Sequence, residues 1–290
     1  MSDYDSIEND LDDDFDFEFI DKKTGEKIKC DLKLNGWKIY NITSKNETLE
    51  NKYGKFEIIK KDLSSDKSKP VLVAMAGFST KSFCGSATRI IENLDKIEEK
   101  FSAIYILKYD DTKFGSLQKD ACGKRDTLKE HFSKDHIFSD EEIEEIYQPE
   151  TDLNNELGTI VDKILRAIGL TKVHLLGKCA GGGVAIHTFT KSEIYDALYL
   201  GVPASPTDVK HLLDKNISDK IFIFGWDSRD AYPFNWGKKS NQEIERYRET
   251  MKQLESNNKV ILEEFETGDE NESKYHEIPS GLFDLIIEYN

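Results

Sequence analysis

The chain has 290 residues, 56 Asp plus Glu against 40 Lys plus Arg, a formal charge of −16 and four cysteines. The acidic excess excludes a basic nucleic-acid binder, which must neutralise phosphates with Lys and Arg. Four cysteines over this length, with no CxxC pair, exclude a disulfide-stapled scaffold, while 38% hydrophobic residues still allow one large core.

The charge is unevenly spread. Residues 1–21 hold ten acids and no base, so the rest of the chain carries 56 − 10 = 46 acids against 40 bases, or −6. Dense like charge with little apolar surface predicts disorder over the first 13 residues. Residues 1–20 read as an acidic tail, a candidate contact for a protein partner. Within it Phe15, Phe17 and Phe19 alternate with acids, the period of two of an edge strand. No apolar run has the length of a membrane span or a signal-peptide core, and the N-terminus is acidic where targeting peptides are basic. The expectation is a soluble, cytoplasmic protein with reduced thiols.

Residues 21–290 read as one domain. Segments 27–33, 36–43 and 55–60 are short strands, broken by Gly36 and the polar stretch 44–52. Val71–Ala76 is wholly apolar, as a strand buried on both faces requires. A helix with Ile90, Ile91, Leu94 and Ile97 on one face follows, then a strand at 103–107. Apolar residues from Leu153 to Ile168 recur at helical spacing and stop at Gly169. Val173–Leu176 is again a buried strand, followed by an apolar helix after Gly181. Strands at 197–202, 221–225 and 259–265 alternate with a helix opened by the capping box Ser240–Glu243 and a last helix through Leu282–Ile287. This alternation predicts a doubly wound α/β domain with a mostly parallel sheet and helices on both faces.

About 40 residues separate the strand ending near Lys108 from the helix expected to start near Thr151, far more than such a join needs. Residues 109–150 are therefore an insertion. Ser139–Glu142 reads as a capping box ahead of Ile143 and Ile146, so the insertion should contain a helix of its own.

The chemistry concentrates at Val173-His-Leu-Leu-Gly177-Lys-Cys179-Ala-Gly181, a strand running through G-x-C-x-G into a helix. This is the nucleophile-elbow pattern with Cys in place of Ser. A sharp turn strains the nucleophile's backbone, and Gly177 and Gly181 leave room for neighbouring backbones. At a helix start, dipole and free N–H groups favour a thiolate, and the Ala180 N–H can donate to an oxyanion. Lys178 reads as a solvated lysine beside the nucleophile. Cys84 reads as helix-start packing, and Cys30 and Cys122 carry no signal. The Gly181–Gly183 run lacks the rest of a Walker or dinucleotide fingerprint, and no His/Cys spacing suggests zinc, so neither cofactor nor metal is expected.

On these residues the sequence over roughly 55–290 resembles the α/β-hydrolase superfamily, in a Cys-nucleophile variant similar to dienelactone hydrolases. The resemblance implies a triad in the order nucleophile, acid, base, with the acid after a late strand and the base before the last helix. His276, in Tyr275-His-Glu-Ile-Pro279, fits the base, with Pro279 in the first turn of the terminal helix. Asp230, three residues before Pro233, fits the acid; Asp227 is the alternative and Asp208 a more distant one. The second oxyanion donor falls on the Phe78 N–H in Ala76-Gly77-Phe78, where Ala76 replaces the family's frequent His. The implied activity is hydrolysis of a small-molecule ester or thioester through an acyl-enzyme. The alternative is an inactive binding or interaction module on the same fold. Residues 109–156 hold 14 acids against 6 bases, which disfavours a strongly anionic substrate. The insertion leaves the carboxyl end of a strand, so it is expected to wall the site. The sequence does not set the oligomeric state.

Overall fold

The computed structural model describes residues 4–10, 15–20, 27–32, 36–44, 52–77, 80–132, 136, 138–201, 206–213, 217–227, 240–265 and 277–290. Among them is a nine-stranded sheet in the order β1-β4-β5-β7-β6-β8-β9-β10-β11. Its strands are β1 (Tyr4–Asp10), β4 (Lys38–Ser44), β5 (Phe56–Asp62), β6 (Val71–Met75), β7 (Ala103–Tyr109), β8 (Val173–Lys178), β9 (Tyr195–Gly201), β10 (Ile221–Asp227) and β11 (Lys259–Phe265). From β7 to β11 every neighbouring pair is parallel; β1, β4 and β5 add an antiparallel flank. The predicted doubly wound, mostly parallel sheet is what folds.

The apolar runs read as buried strands form its centre. Alternate residues of each strand face opposite layers. Val73, Met75, Leu175, Phe222 and Phe224 pack with α4 (Asp140–Ala167), α5 (Ala180–Phe189) and α7 (Ser240–Leu254). Leu72, Ala74, Leu176 and Ile223 pack with α1 (Thr80–Glu92), α2 (Leu94–Glu98) and α8 (Ser280–Tyr289).

Four expectations change. Residues 4–10, assigned to a disordered tail, form β1 on the outer edge of β4, where backbone pairing needs little apolar surface. The alternating Phe15–Phe19 segment is a strand, β2 (Phe15–Ile20), but it pairs with β3 (Lys27–Leu32) in a separate two-stranded sheet. The helix expected to start near Thr151 starts at Asp140 and continues through Pro149 to Ala167. Its cap is the predicted box: the Glu142 N–H donates to Ser139 Oγ at 3.2 Å, and the Ser139 N–H donates to Glu142 Oε2 at 2.7 Å. Cys84 is disulfide-bonded, against the expectation of reduced thiols and simple packing, whereas Cys122 and Cys179 are not in disulfides.

The remaining helices are α3 (Asp111–Glu130), which with the first turns of α4 makes up the insertion, and the short α6 (Pro206–Lys210). Asn154 of α4 lies level with Gly183 of α5. The 14 residues of α4 before Asn154 therefore project about 21 Å at 1.5 Å per residue. They are tied to the segments after β9 and β10 by Lys210–Glu144 (2.7 Å) and Arg246–Asp140 (2.6 Å). No described helix is long and apolar enough to cross a membrane.

Folding also fixes a buried neutral histidine at the start of the strand that leads to the elbow. His174 on β8 is 4% exposed, and its Nδ1 lies 2.8 Å from the Tyr199 hydroxyl. Burial lowers its pKa from 6.5 to about 4. Between those values the unfolded chain binds a proton that the native state refuses, so stability falls as pH falls through this window. Urea denaturation should show His174→Gln losing about 2 kcal/mol less than the parent between pH 7 and pH 4.5. Equal losses in both would show that His174 does not contribute to the acid sensitivity.

Candidate active site

The elbow is built by close approach. β8 is buried along its whole length and delivers Cys179 to the tip of the turn before α5. Cys179 takes φ 52 and ψ −127; Asp219 is the other non-glycine residue with positive φ among those described. An L-residue there carries about 1–3 kcal/mol of strain, held by the surrounding packing. Both flanking glycines are required sterically. A Cβ on Gly177 would lie 2.6 Å from Gly182 Cα and 2.9 Å from Ala185 Cβ. A Cβ on Gly181 would run into the carbonyl oxygens of Met75 and Ala76, at the end of β6. The Gly182 N–H donates to the Cys179 carbonyl at 2.8 Å, closing the first turn. Cys179 and Ala180 stay partly exposed while Gly181–Phe189 are buried, so the thiol sits at the solvent-facing end of an otherwise enclosed helix.

Each face of the elbow is pinned by polar groups. On the α4 side, His187 Nε2 lies 2.9 Å from Asp208 Oδ1, and Asn154 Nδ2 donates to Asp208 Oδ2 at 3.0 Å. Thr151 and Thr207 hydrogen-bond beside them at 3.0 Å. Asp208 is fully buried and both its oxygens are engaged, so the most distant acid candidate is committed to this network.

On the α1 side, Lys178 is not solvated. It is 2% exposed and its Nζ donates to Glu277 Oε2 at 2.7 Å. It follows Leu176 at the strand period of two, so it points into the α1 and α8 layer. Neither partner stood out in the sequence as a site residue. The available signal was a lysine closing a strand with no other charge.

The other site residues divide as follows. Asp227 is the last residue of β10, paired with Phe265 in β11. Its side chain lies outside the described residues, as do Phe78, Asp230 and His276. The chain on either side of His276 is anchored at the carboxyl edge of the sheet. Before it, the Phe265 ring fills the space beside Gly225, where a Cβ would lie 2.6 Å from Cε2. After it, Ile278 is buried against Gly201 at the end of β9. Pro279 is the N-cap of α8, one position before the expected first turn. Among the described residues no group of three or more His, Cys, Asp or Glu could hold a metal ion.

A strained residue between a central parallel strand and a buried helix completes the architecture. The fold is a doubly wound α/β fold on a mostly parallel sheet. No protein-family model matches this chain, and no curated protein does. Solved structures similar to it include a predicted CIB-like hydrolase from Thermoplasma acidophilum. That structure is 16% identical, with TM-score 0.43, covering 81% of this chain and 92% of that one. An S-formylglutathione hydrolase from Agrobacterium tumefaciens is 12% identical, with TM-score 0.46 and coverage of 87% and 94%. An IroE-like serine hydrolase from Shewanella oneidensis is 13% identical, with TM-score 0.49 and coverage of 81% and 75%. Identities this low leave the roles of individual residues to the geometry of this chain.

The strain at Cys179 is directly measurable. Glycine tolerates φ 52 and alanine does not, so Cys179→Gly should be more stable to urea than Cys179→Ala by about 1 kcal/mol. Glycine is mildly preferred to alanine at any N-cap, so equal stability of the two variants would show that the turn carries no such strain.

Proposed function

We propose that the chain hydrolyses a carboxylic ester or thioester through a covalent acyl-enzyme, with Cys179 as nucleophile, His276 as base and Asp230 as the acid that orients it. The observation that carries this reading is the positive φ of a half-exposed Cys179, enforced by Gly177 and Gly181 at the start of a buried helix. Such strain persists where function needs the side chain presented at a sharp turn. Asp227, at the end of β10, is the alternative acid.

In the proposed cycle His276 takes the Cys179 proton and the thiolate attacks the substrate carbonyl carbon. The oxyanion forms against the N–H groups of Ala180 and Phe78. Ala180 is in the first helical turn, where N–H groups have no intrahelical acceptor. As the tetrahedral intermediate collapses, the bond to the leaving alcohol or thiol breaks and His276 returns the proton to it. His276 then deprotonates a water, which attacks the acyl carbon. Breaking the carbon–sulfur bond frees the carboxylic acid and restores the thiol.

The insertion, residues 109–150, would form one wall of this site, since α4 rises beyond the level of the elbow. Its acidity favours a neutral ester or an acyl thioester over a strongly anionic substrate. Residues 1–20 would be a separate acidic element available to a protein partner.

Alkylation separates Cys179 from Cys122. Burial and the nearby Glu150 push the Cys122 pKa up to about 12, so it stays protonated and slow. Iodoacetamide at pH 7 should label Cys179 at least about tenfold faster than Cys122. Cys179→Ala and His276→Ala should each lower p-nitrophenyl acetate turnover by about 100-fold or more, and Asp230→Asn by more than Asp227→Asn. Slow labelling of Cys179, with hydrolysis intact in Cys179→Ala, would sink the nucleophile assignment, and a parent without hydrolysis would leave the binding-module alternative.

A further inference from the structure

We propose that the buried ion pair Lys178–Glu277 is a positioning device that sets the base loop against the nucleophile elbow. The inference rests on the function proposed above and deepens it. Lys178 immediately precedes Cys179, and Glu277 immediately follows His276. The two side chains meet at 2.7 Å across 99 residues of sequence, with Lys178 2% and Glu277 23% exposed.

A third element closes the arrangement. The Glu277 carboxylate rests on Gly85 of α1, where a Cβ would lie 2.5 Å from Oε1 and 2.6 Å from Oε2. The absence of a side chain at Gly85 lets the carboxylate reach inward to Lys178. The pair therefore joins the residue before the nucleophile, the residue after the base, and the helix that begins just beyond Phe78. Behind it, Ile278 is buried against Gly201 at the end of β9, so the chain leaving Glu277 is also fixed by packing.

Stability alone is a weak reason for such a pair. Desolvating two charges offsets much of their attraction, and well-packed apolar residues of similar size often serve as well. A pair linking the two chain neighbours of a proton-transfer couple acts where displacements of about 1 Å cost rate. Lys178 and Glu277 are positioning residues, since they act through Cys179 and His276.

The test compares Glu277→Met, which strands a buried lysine, with Lys178→Met/Glu277→Met, which removes both charges together. Three quantities are read: urea stability, kcat and KM for p-nitrophenyl acetate, and the pH midpoint of Cys179 alkylation by iodoacetamide, followed on the Cys179 peptide by mass spectrometry. Glu277→Met should lose both stability and turnover. The double variant should recover most of the stability, yet keep kcat down about tenfold or more with KM within about twofold, and raise the alkylation midpoint by about one pH unit. Glu277→Gln, which preserves shape and a hydrogen-bond acceptor but leaves the Lys178 charge uncompensated, should lower kcat with KM within about twofold and serves if the double variant does not fold. Return of kcat and midpoint to parental values along with stability would overturn the proposal, as would parental kcat in a folded Glu277→Gln. Those results leave a depressed midpoint in the parent. A parental midpoint at the ordinary thiol value of about 8.5, with hydrolysis intact in Cys179→Ala, would instead sink the nucleophile assignment itself.

Discussion

Gly181 of α5 packs directly against the carbonyls of Met75 and Ala76 at the end of β6. No side chain fits between them, and Gly177 on the other side of the turn is closed in by Gly182 and Ala185. With both flanks fixed, Cys179 has one way through the turn, at φ 52. The partial exposure of its thiol at a helix N-terminus follows from that constraint, as does the full burial of α5 behind it. The parallel register of β6, β8 and β9, with Met75 opposite Gly177 and Lys178 opposite Gly201, supplies the rigid frame that holds the strain.

The two layers hold the elbow by different chemistry. Toward α4, the network of Asn154, His187 and Asp208 locks α5 to the helix that carries the insertion. Toward α1 and α8, an ion pair joins the elbow to the chain just before the terminal helix. One side is a satisfied polar core, which gives rigidity; the other is a link between two segments that must keep a fixed separation. The acidity that dominates the composition is concentrated in residues 1–21 and in the insertion.

Much of this was legible along the sequence. Short apolar runs gave the parallel strands, because a strand buried on both faces must be apolar throughout. G-x-C-x-G located the turn, because its glycines answer a local steric demand. Ser139 and Glu142 marked a true helix start, but polar residues around Pro149 hid the continuity of α4 into the apolar stretch beyond it. β1 escaped notice because an edge strand held by backbone pairing needs no apolar alternation. Lys178–Glu277 and His187–Asp208 join residues 99 and 21 apart, and contacts of that kind leave no periodic trace. Lys178 was misread for the same reason: its charge suggested solvent, whereas its place on a fully buried strand required a partner.

Rapid acid quench of the protein incubated with p-nitrophenyl acetate, followed by peptide mass spectrometry, tests the proposed nucleophile most directly. One acetyl group on the Cys179 peptide, appearing on the timescale of turnover and absent from Cys179→Ala, is the expected result. Turnover with the acetyl group on another residue, or undiminished turnover in Cys179→Ala, would contradict it.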